Sequence, residues 1–144
     1  MNIGEAAVRS SVPAKTIRYY ESIGLIPRAA RTAGNYRDYD ANDLQTLSFI
    51  QRARMLGFPV KDVAALLTLW RDKRRAASSV KRLAEGHIGE IDRRMRELKS
   101  MRRTLMHLIE RCHGGERPDC PIIDELAGQH AEPDKRASTR RRIV

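Results

Sequence analysis

The chain has two cysteines, Cys112 and Cys120, which lie eight positions apart. The segment between them contains two glycines and a proline, a composition that favours a loop. A structural zinc site requires four ligands and a catalytic one requires three plus water. Near these cysteines the sequence adds only His113, which we interpret as a loop residue. Two thiolates suffice for a soft monovalent ion, so the pair predicts a site for Cu(I) first, or for Ag(I) or Au(I).

Other chemistries of the two thiols stay open at this point. They could be ordinary loop cysteines, a disulfide, a redox switch or the ligands of a copper buffer, although a reducing compartment disfavours a structural disulfide. The segment from Pro121 to Leu126 predicts a short helix with Cys120 at its N-cap. Backbone N–H groups at such a helix end lower the pKa of a neighbouring thiol, so we expect Cys120 to form a thiolate readily.

The segment before the cysteines, residues 80–111, predicts one long helix. Its apolar residues recur every three or four positions, and proline is absent. Such a helix is roughly 48 Å long, too long to be buried in a domain of this size. A narrow apolar stripe on a charged helix requires a partner, and a second copy of the chain is the simplest one. The stripe residues are Ala84, Ile88, Ile91, Met95, Leu98, Leu105 and Ile109, with Arg102 interrupting them.

Charge and composition indicate the partner and the compartment. The net charge of +10 and the pI near 10.3 favour a polyanion, nucleic acid before a membrane surface. No apolar run approaches the roughly 20 residues of a membrane span, and a signal-peptide pattern is absent, which predicts a cytoplasmic protein. All seven aromatic residues lie in the first seventy positions, where a compact core is expected.

The N-terminal seventy residues predict a winged helix-turn-helix domain. Residues 3–9 and 14–23 read as two short helices joined by a tight turn, a pattern typical of a DNA-binding unit whose second helix enters the major groove. Lys15 and Thr16 occupy the first turn of that helix, where base edges are read. Arg18, Tyr19 and Tyr20 follow, and we expect one of the two tyrosines to belong to the core with Ile17.

Residues 26–40 predict a small hairpin or wing, from which Arg31 and Arg37 reach phosphates. A third helix begins after a cap at Asp40 or Asn42, and a fourth spans residues 61–70. The complete prediction is a winged helix-turn-helix domain at 1–70, a connector at 71–79, a dimerisation helix at 80–111, a metal-binding loop with a short helix at 112–128 and a disordered basic tail at 129–144.

Three motifs, in this order, resemble the MerR family of bacterial transcription regulators. They are Ile17-Arg18-Tyr19-Tyr20-Glu21 with Gly24-Leu25, then Asn35-Tyr36-Arg37-Asp38-Tyr39, then Arg54-Met55-Leu56-Gly57-Phe58. The segment from Cys112 to Ile123 is similar to the metal loop of the copper-responsive branch, the CueR and HmrR-like proteins.

The resemblance implies a mainly α fold with a winged helix-turn-helix head, an antiparallel coiled-coil homodimer and a metal loop at the end of each dimer helix. It also implies activation by distorting a promoter whose two polymerase-recognition elements lie too far apart, with RNA polymerase at that promoter. The DNA contacts that it implies, together with those from the residues above, are Lys15, Thr16, Arg18, Tyr19, Tyr20, Arg31, Tyr36, Arg37 and Arg54.

Two departures from the family pattern concern helix starts. The copper branch has a serine at the start of the dimer helix, and that position is Ala77 here, with Ser78 and Ser79 adjacent. Pro13 replaces the usual hydroxyl N-cap of the recognition helix. Family members that sense mercury or zinc place a cysteine near residues 77–79, and its absence disfavours divalent metals. The sequence has no paired carboxylates, no nucleophile–base pair and no phosphate-binding glycine loop, so no enzyme is expected.

Overall fold

The computed structural model describes residues 1–112, 114–116 and 118–129. These residues form two compact units, Met1–Ile88 and a second that begins at Gly89. The elements in chain order are α1 (Ile3–Ser10), α2 (Ala14–Ser22), β1 (Ala30–Arg31), β2 (Arg37–Asp38), α3 (Ala41–Met55), α4 (Val60–Arg71), α5 (Ala77–Glu110) and α6 (Pro121–Leu126). The mainly α fold expected from the sequence is confirmed.

Local capping explains where the first two helices begin and end. The Asn2 side chain accepts the backbone N–H of Glu5 at 2.9 Å and starts α1. Pro13 is the N-cap of α2 and offers no side-chain hydrogen bond there, in agreement with the departure noted above. After α2, Gly24 adopts a φ of 77°, a left-handed conformation that glycine accepts without a Cβ clash.

The wing is an antiparallel pair of two-residue strands. Ala30 pairs with Asp38 and Arg31 with Arg37. The predicted hairpin at residues 26–40 is therefore confirmed, with strands shorter than the region that was assigned to it. Asn35 turns the chain between the strands with a φ of 66°, which asparagine tolerates better than most residues.

Helix α3 starts with a reciprocal capping box, which decides between the two predicted caps in favour of Asp40. The Asp40 carboxylate accepts the N–H of Asp43 at 2.8 Å, and the Asp43 carboxylate accepts the N–H of Asp40 at 3.0 Å. Helix α4 packs on α3, and the Phe49 and Trp70 rings stack with centroids 4.4 Å apart.

One apolar core holds the first unit together. Its members come from every helix of the unit up to α4 and from the ends of the wing, and α1 packs on both α2 and α3. The most deeply buried large side chains are Val12, Ile17, Leu47, Ile50 and Val63. Packing on this core holds the inner face of α2 in place and leaves its outer face exposed.

Helix α5 differs from the predicted dimerisation helix at both ends. It begins at Ala77 rather than residue 80 and ends at Glu110. Near its start, Leu83 and Ala84 pack partly buried against the core of the first unit. Ala84 is also predicted to belong to the dimer stripe, and this packing adds a contact with the first unit to that prediction. The compact first unit therefore extends beyond residue 70 and includes the start of α5.

The second unit contains the rest of α5, the cysteine segment and α6. On α5, Arg93 forms ion pairs with Glu90 and Glu97. These ion pairs belong to the solvated face of the helix. None of the helices within the described residues is both long enough and apolar enough to cross a membrane. Of the tail predicted to be disordered at 129–144, residues 130–144 lie outside the described residues, as does His113.

Candidate nucleic-acid interface and metal centre

Helix α2 presents one polar face outward. Lys15, Arg18 and Tyr19, which are spaced three and four apart, are all exposed, and Tyr19 is 53% exposed. Thr16 is half-buried beside them. Ile17 is completely buried and fixes this helix on the core. The predicted base-reading and phosphate-contacting side chains of α2 therefore share one accessible surface, with one exception.

Tyr20 is that exception. It is 6% exposed and belongs to the apolar core, so its place among the predicted DNA contacts is corrected. Tyr20 follows Ile17 by three positions, which puts both side chains on the inner face of the helix. The expectation that one of the two tyrosines is a core residue is confirmed, and Tyr20 is that residue.

The wing carries three of the predicted contacts in different environments. Tyr36 is 74% exposed at the turn between the strands. The Arg31 guanidinium is exposed and donates to the carbonyl oxygen of Asn35 at 3.1 Å, which steadies the turn. The Arg37 side chain is 29% exposed and forms an ion pair with a buried carboxylate.

That carboxylate belongs to Glu21, whose side chain is 5% exposed. Glu21 Oε1 accepts the Arg37 Nε–H at 2.9 Å and the Tyr39 hydroxyl at 3.1 Å, and Oε2 accepts the backbone N–H of Ala29 at 2.9 Å. We call these four residues the Glu21 cluster. One side chain of the recognition helix therefore holds the entry to β1, strand β2 and the residue after it.

The Glu21 cluster fixes the charge of its members. Burial by itself would raise the pKa of Glu21, but the Ala29 N–H, the Tyr39 hydroxyl and the Arg37 guanidinium outweigh it and lower that pKa below 4.5. Burial and the hydrogen bond to the Glu21 carboxylate raise the pKa of Tyr39 to about 12. At neutral pH the cluster is a carboxylate, a guanidinium and a neutral phenol.

Arg54 lies in the last turn of α3 and is exposed. Its Nη1 donates to the carbonyl oxygen of Phe58 at 2.8 Å, across the turn that leads to α4. Phe58 is 8% exposed and belongs to the core. This predicted DNA contact is therefore also a brace of the α3–α4 turn.

The two cysteines flank the segment between α5 and α6. The Cys112 N–H donates to the carbonyl oxygen of Ile109 at 3.0 Å, so Cys112 directly follows the end of α5. Cys120 is the N-cap of α6, with Pro121 in the first turn, as the sequence predicted. Both are half-buried free thiols.

The local environment favours the thiolate form of Cys120. The backbone N–H of Ile123 lowers its pKa, and the Ile122 N–H and the Cys112 side chain act in the same direction against partial desolvation and the Asp124 carboxylate. The lowered pKa expected from a helix start at Pro121 is confirmed. Within residues 1–112, 114–116 and 118–129, no three His, Cys, Asp or Glu side chains come together in a group that could hold a metal ion.

The apolar stripe of α5 is exposed in the single chain. Ile88, Ile91, Met95, Leu98, Leu105 and Ile109 are 40% to 61% exposed, and Met101 and Met106 join them at 55% and 43%. Met101 lies three positions after Leu98 and four before Leu105, so it continues the spacing beside Arg102. From here on, the apolar stripe means these eight residues.

Two family models match the chain. The model described as "MerR HTH family regulatory protein" matches residues 1–69, and the model described as "MerR, DNA binding" matches residues 44–108. The chain belongs to the MerR family. It is thus a transcription regulator and not an enzyme, and promoter DNA, a second copy of the chain and RNA polymerase are confirmed as its partners at the level of the family.

Relatives inside the MerR family carry metal-related names. The chain is 57% identical over 127 residues to the HTH-type transcriptional regulator HmrR of Sinorhizobium medicae, covering 88% of this chain and 86% of the relative. It is 51% identical over 140 residues to the heavy metal-dependent transcription regulator 2 of Rhizobium meliloti, covering 97% and 95%. The resemblance to the metal-responsive branch is confirmed.

A solved MerR-type structure agrees with the fold. The transcription regulator PbrR691 from Ralstonia metallidurans, whose crystal structure contains lead(II), aligns with a TM-score of 0.74 and 35% identity, covering 88% of this chain and 98% of that one. The similarity extends over nearly the whole described part of the MerR chain.

The sequence does not predict two side-chain contacts of this MerR regulator. The motif at residues 17–21 includes Glu21 but does not predict its buried, ionised state, although Glu21 follows the apolar Ile17 by four positions, on the same helical face. His87 was given no role, and it lies against the α3–α4 turn. No spacing rule connects a residue in α5 with that turn, because they are 31 positions apart.

Proposed function

We propose that this MerR regulator activates transcription in response to Cu(I), which binds to Cys112 and Cys120. The observation that carries the proposal is the pair of free thiols at the two helix ends, one of them with a lowered pKa. A soft monovalent ion requires no more than two thiolates. The chain contains no further cysteine to extend the donor set.

The charge of the site supports a monovalent ion. Two thiolates around one monovalent ion leave a net charge of −1, and the backbone N–H groups at the start of α6 face Cys120 and offset it. A divalent ion such as Zn(II) favours more donors. Residues 77–79 are Ala-Ser-Ser and supply no third thiol. Ag(I) and Au(I) satisfy the same requirement and are the closest competitors of Cu(I).

The DNA interface follows from the exposed face of α2 and the wing. Lys15 and Thr16 read base edges from the first turn of α2, while Arg18, Tyr19, Arg31, Tyr36, Arg37 and Arg54 contact the backbone or the groove wall. The separation of these roles follows from position: the first group lies at the helix N-terminus, and the second lies along the helix, the wing and the α3–α4 turn.

The response requires two shapes of the DNA-bound dimer. Two copies pair through the apolar stripe of α5, which a single chain leaves in water. A metal ion shifts the population of the two shapes only through its differential affinity for them, and a change from 1:99 to 99:1 requires about 5.5 kcal/mol. The bound ion supplies thiolate bonds that tie the end of α5 to the start of α6. The dimer has two equivalent sites, so each bound ion supplies only part of this free energy.

Two other functions use the same cysteines. A thiol redox switch is favoured by the nearness of the two side chains, since Cys112 contributes to the lowered pKa of Cys120. A cytoplasmic copper buffer leaves the DNA-binding head without a role. A regulator of this kind works in the cytoplasm, where thiols stay reduced and the promoter is accessible.

Transcription in vitro from a promoter with the bound dimer tests the proposal. Under reducing conditions, we expect Cu(I) to activate the wild-type protein and Zn(II) to activate it poorly. Cys112→Ser and Cys120→Ser should bind the operator normally and lose the response, whereas the loop control Glu116→Gln should keep it. Activation by an oxidant without Cu(I) would instead establish the redox switch. Full Cu(I) activation of the double Cys→Ser variant would place the sensor elsewhere.

A further inference from the structure

His87 contacts Leu56 and Phe58, which flank Gly57 in the turn between α3 and α4. Its Nε2 lies 2.8 Å from the carbonyl oxygen of Leu56, and its ring stacks on Phe58 with centroids 4.3 Å apart and an interplanar angle of 28°. A carbonyl oxygen only accepts, so Nε2 carries the proton and donates it. All of these atoms belong to the first compact unit.

The turn is built to receive this ring. Helix α3 ends in a Schellman motif, in which the Phe58 N–H donates to Ala53 at 3.2 Å and the Gly57 N–H donates to Arg54 at 2.9 Å. These bonds use the carbonyls of Ala53 and Arg54, and His87 donates to the carbonyl oxygen of Leu56, the C-cap residue of α3. Gly57 has a φ of 86°, and a Cβ there would lie 3.3 Å from His87 Nε2. Glycine thus provides both the conformation and the room.

A residue proposed to contact DNA also holds this turn. Arg54 donates to the carbonyl oxygen of Phe58 at 2.8 Å. The Phe58 ring therefore stacks on His87, while the Phe58 backbone carbonyl accepts the hydrogen bond from Arg54. A displacement of His87 changes the support of the same three-residue turn that positions the Arg54 guanidinium.

His87 is the polar member of a short contact face on α5. Leu83 and Ala84 pack on the core of the first unit, and His87 follows them by one helical turn. Apolar contacts of this kind tolerate small sliding, whereas a hydrogen bond and a ring stack specify one position. Helix α5 continues without interruption from these residues to Glu110, two positions before Cys112.

We propose that His87 is the positioning residue through which the dimerisation helix sets the α3–α4 turn, and with it Arg54, when the metal state changes. The proposal rests on the proposed function above. It predicts that substitution of His87 uncouples metal binding from promoter distortion. Metal binding by itself and operator binding by itself are preserved. A merely structural brace would weaken folding or DNA affinity and leave the metal-induced response of the bound complex intact.

Three substitutions separate the contacts of His87. His87→Ala removes the ring and the donor, His87→Phe keeps a ring on Phe58 without the donor, and His87→Gln keeps a donor without the ring. His107→Ala is the matched control, because His107 is an exposed histidine of the same helix. Thermal unfolding and operator affinity are measured for every variant, so that loss of folding is recognised.

The readout is the Cu(I)-induced change in fluorescence of a base analogue placed in the promoter spacer, together with transcription in vitro. We expect His87→Ala to reduce the Cu(I)-induced activation roughly tenfold, within the usual range of coupling between sites. Its Cu(I) affinity and its metal-free operator affinity should match those of the wild type. His87→Phe and His87→Gln should give intermediate activation, and His107→Ala should behave as the wild type.

Different results overturn the role of His87 and the proposed function. Wild-type activation and spacer fluorescence in His87→Ala overturn the coupling role of His87. If the wild-type protein itself does not respond to Cu(I), the proposed function is wrong. Amide hydrogen exchange of the metal-free protein then tests whether His87 stabilises the α3–α4 turn. Wild-type exchange rates at residues 56–58 in His87→Ala overturn the proposal, whereas faster exchange there, absent in His107→Ala, supports it.

Discussion

The Nε–H of Arg37 donates to Glu21 Oε1 at 2.9 Å, so a wing residue predicted to contact phosphate is also bound to the recognition helix. The bond joins β2 to α2 across sixteen positions of sequence. We therefore propose two tasks for Arg37: Nε holds the wing in place, and the remaining guanidinium nitrogens contact DNA. The orientation of the wing depends on a charge that lies inside the protein.

Replacement of Glu21 tests this cluster through the pH dependence of folding. The pKa of Glu21 is lowered in the folded state, so its ionised form stabilises the fold above pH 4.5, and that stability is lost as the pH falls through the folded pKa. Glu21→Gln cannot accept all three hydrogen bonds, because its amide nitrogen is a donor. We expect Glu21→Gln to lower the free energy of unfolding by about 2 kcal/mol at pH 7 and less at pH 3.

Urea denaturation between pH 3 and 7 measures this difference. Tyr39→Phe removes one of the three donors and should cost about 1 kcal/mol. Glu97→Gln is the exposed control, and its solvent-screened ion pair with Arg93 should contribute little to stability. A Glu21→Gln protein that is as stable as the wild type at pH 7 would show that the cluster does not form in solution.

Arg31→Ala and Arg37→Ala test the wing as a phosphate-binding element. A lost phosphate contact should weaken binding to every sequence and reduce the slope of log affinity against log salt by about 0.9. We expect this from both variants. Arg37→Ala should lower the free energy of unfolding more than Arg31→Ala does, because it leaves the buried Glu21 carboxylate without its guanidinium.

Fluorescence anisotropy with operator DNA between about 50 and 200 mM salt provides the slopes. Arg93→Ala serves as the control, since Arg93 is engaged with Glu90 and Glu97 on α5. If Arg37→Ala keeps the wild-type affinity and slope, its only task is the contact with Glu21, and the phosphate assignment is wrong.

Leu98 and Met101 test the dimer. Both are more than half exposed in the single chain, at 61% and 55%. Truncation of a Leu that is buried on pairing costs about 2–5 kcal/mol, so Leu98→Ala should weaken the dimer, and Leu98→Asp or Met101→Asp should dissociate it. Arg96→Asp introduces the same charge away from the apolar stripe and should leave the dimer intact.

Sedimentation velocity at several protein concentrations gives the oligomeric state, and anisotropy gives operator binding. Because two half-sites are read by two heads, a monomeric variant should also lose most of its operator affinity. A Leu98→Asp protein that still sediments as a dimer and binds the operator would refute pairing through the apolar stripe.

The regular features of the chain were determined by local sequence. The three- and four-residue spacing of apolar side chains predicted the long helix α5, because helical periodicity is a local property. Glycine at position 24 and the Asp40 capping box set helix ends for the same reason. The eight-residue spacing of Cys112 and Cys120, and Pro121 after them, likewise predicted a thiol pair with a helix end beside it.

Tertiary structure alone decided which side chains are free to act. Tyr19 and Tyr20 are adjacent and chemically identical, and only the packing of α2 on the core makes one a surface residue and the other a core residue. Ala84 fits the spacing of the dimer stripe, yet it also packs, partly buried, against the core of the first unit. Glu21 and His87 act on residues eight to 31 positions away. Such contacts depend on how separate elements pack together, which local periodicity does not specify.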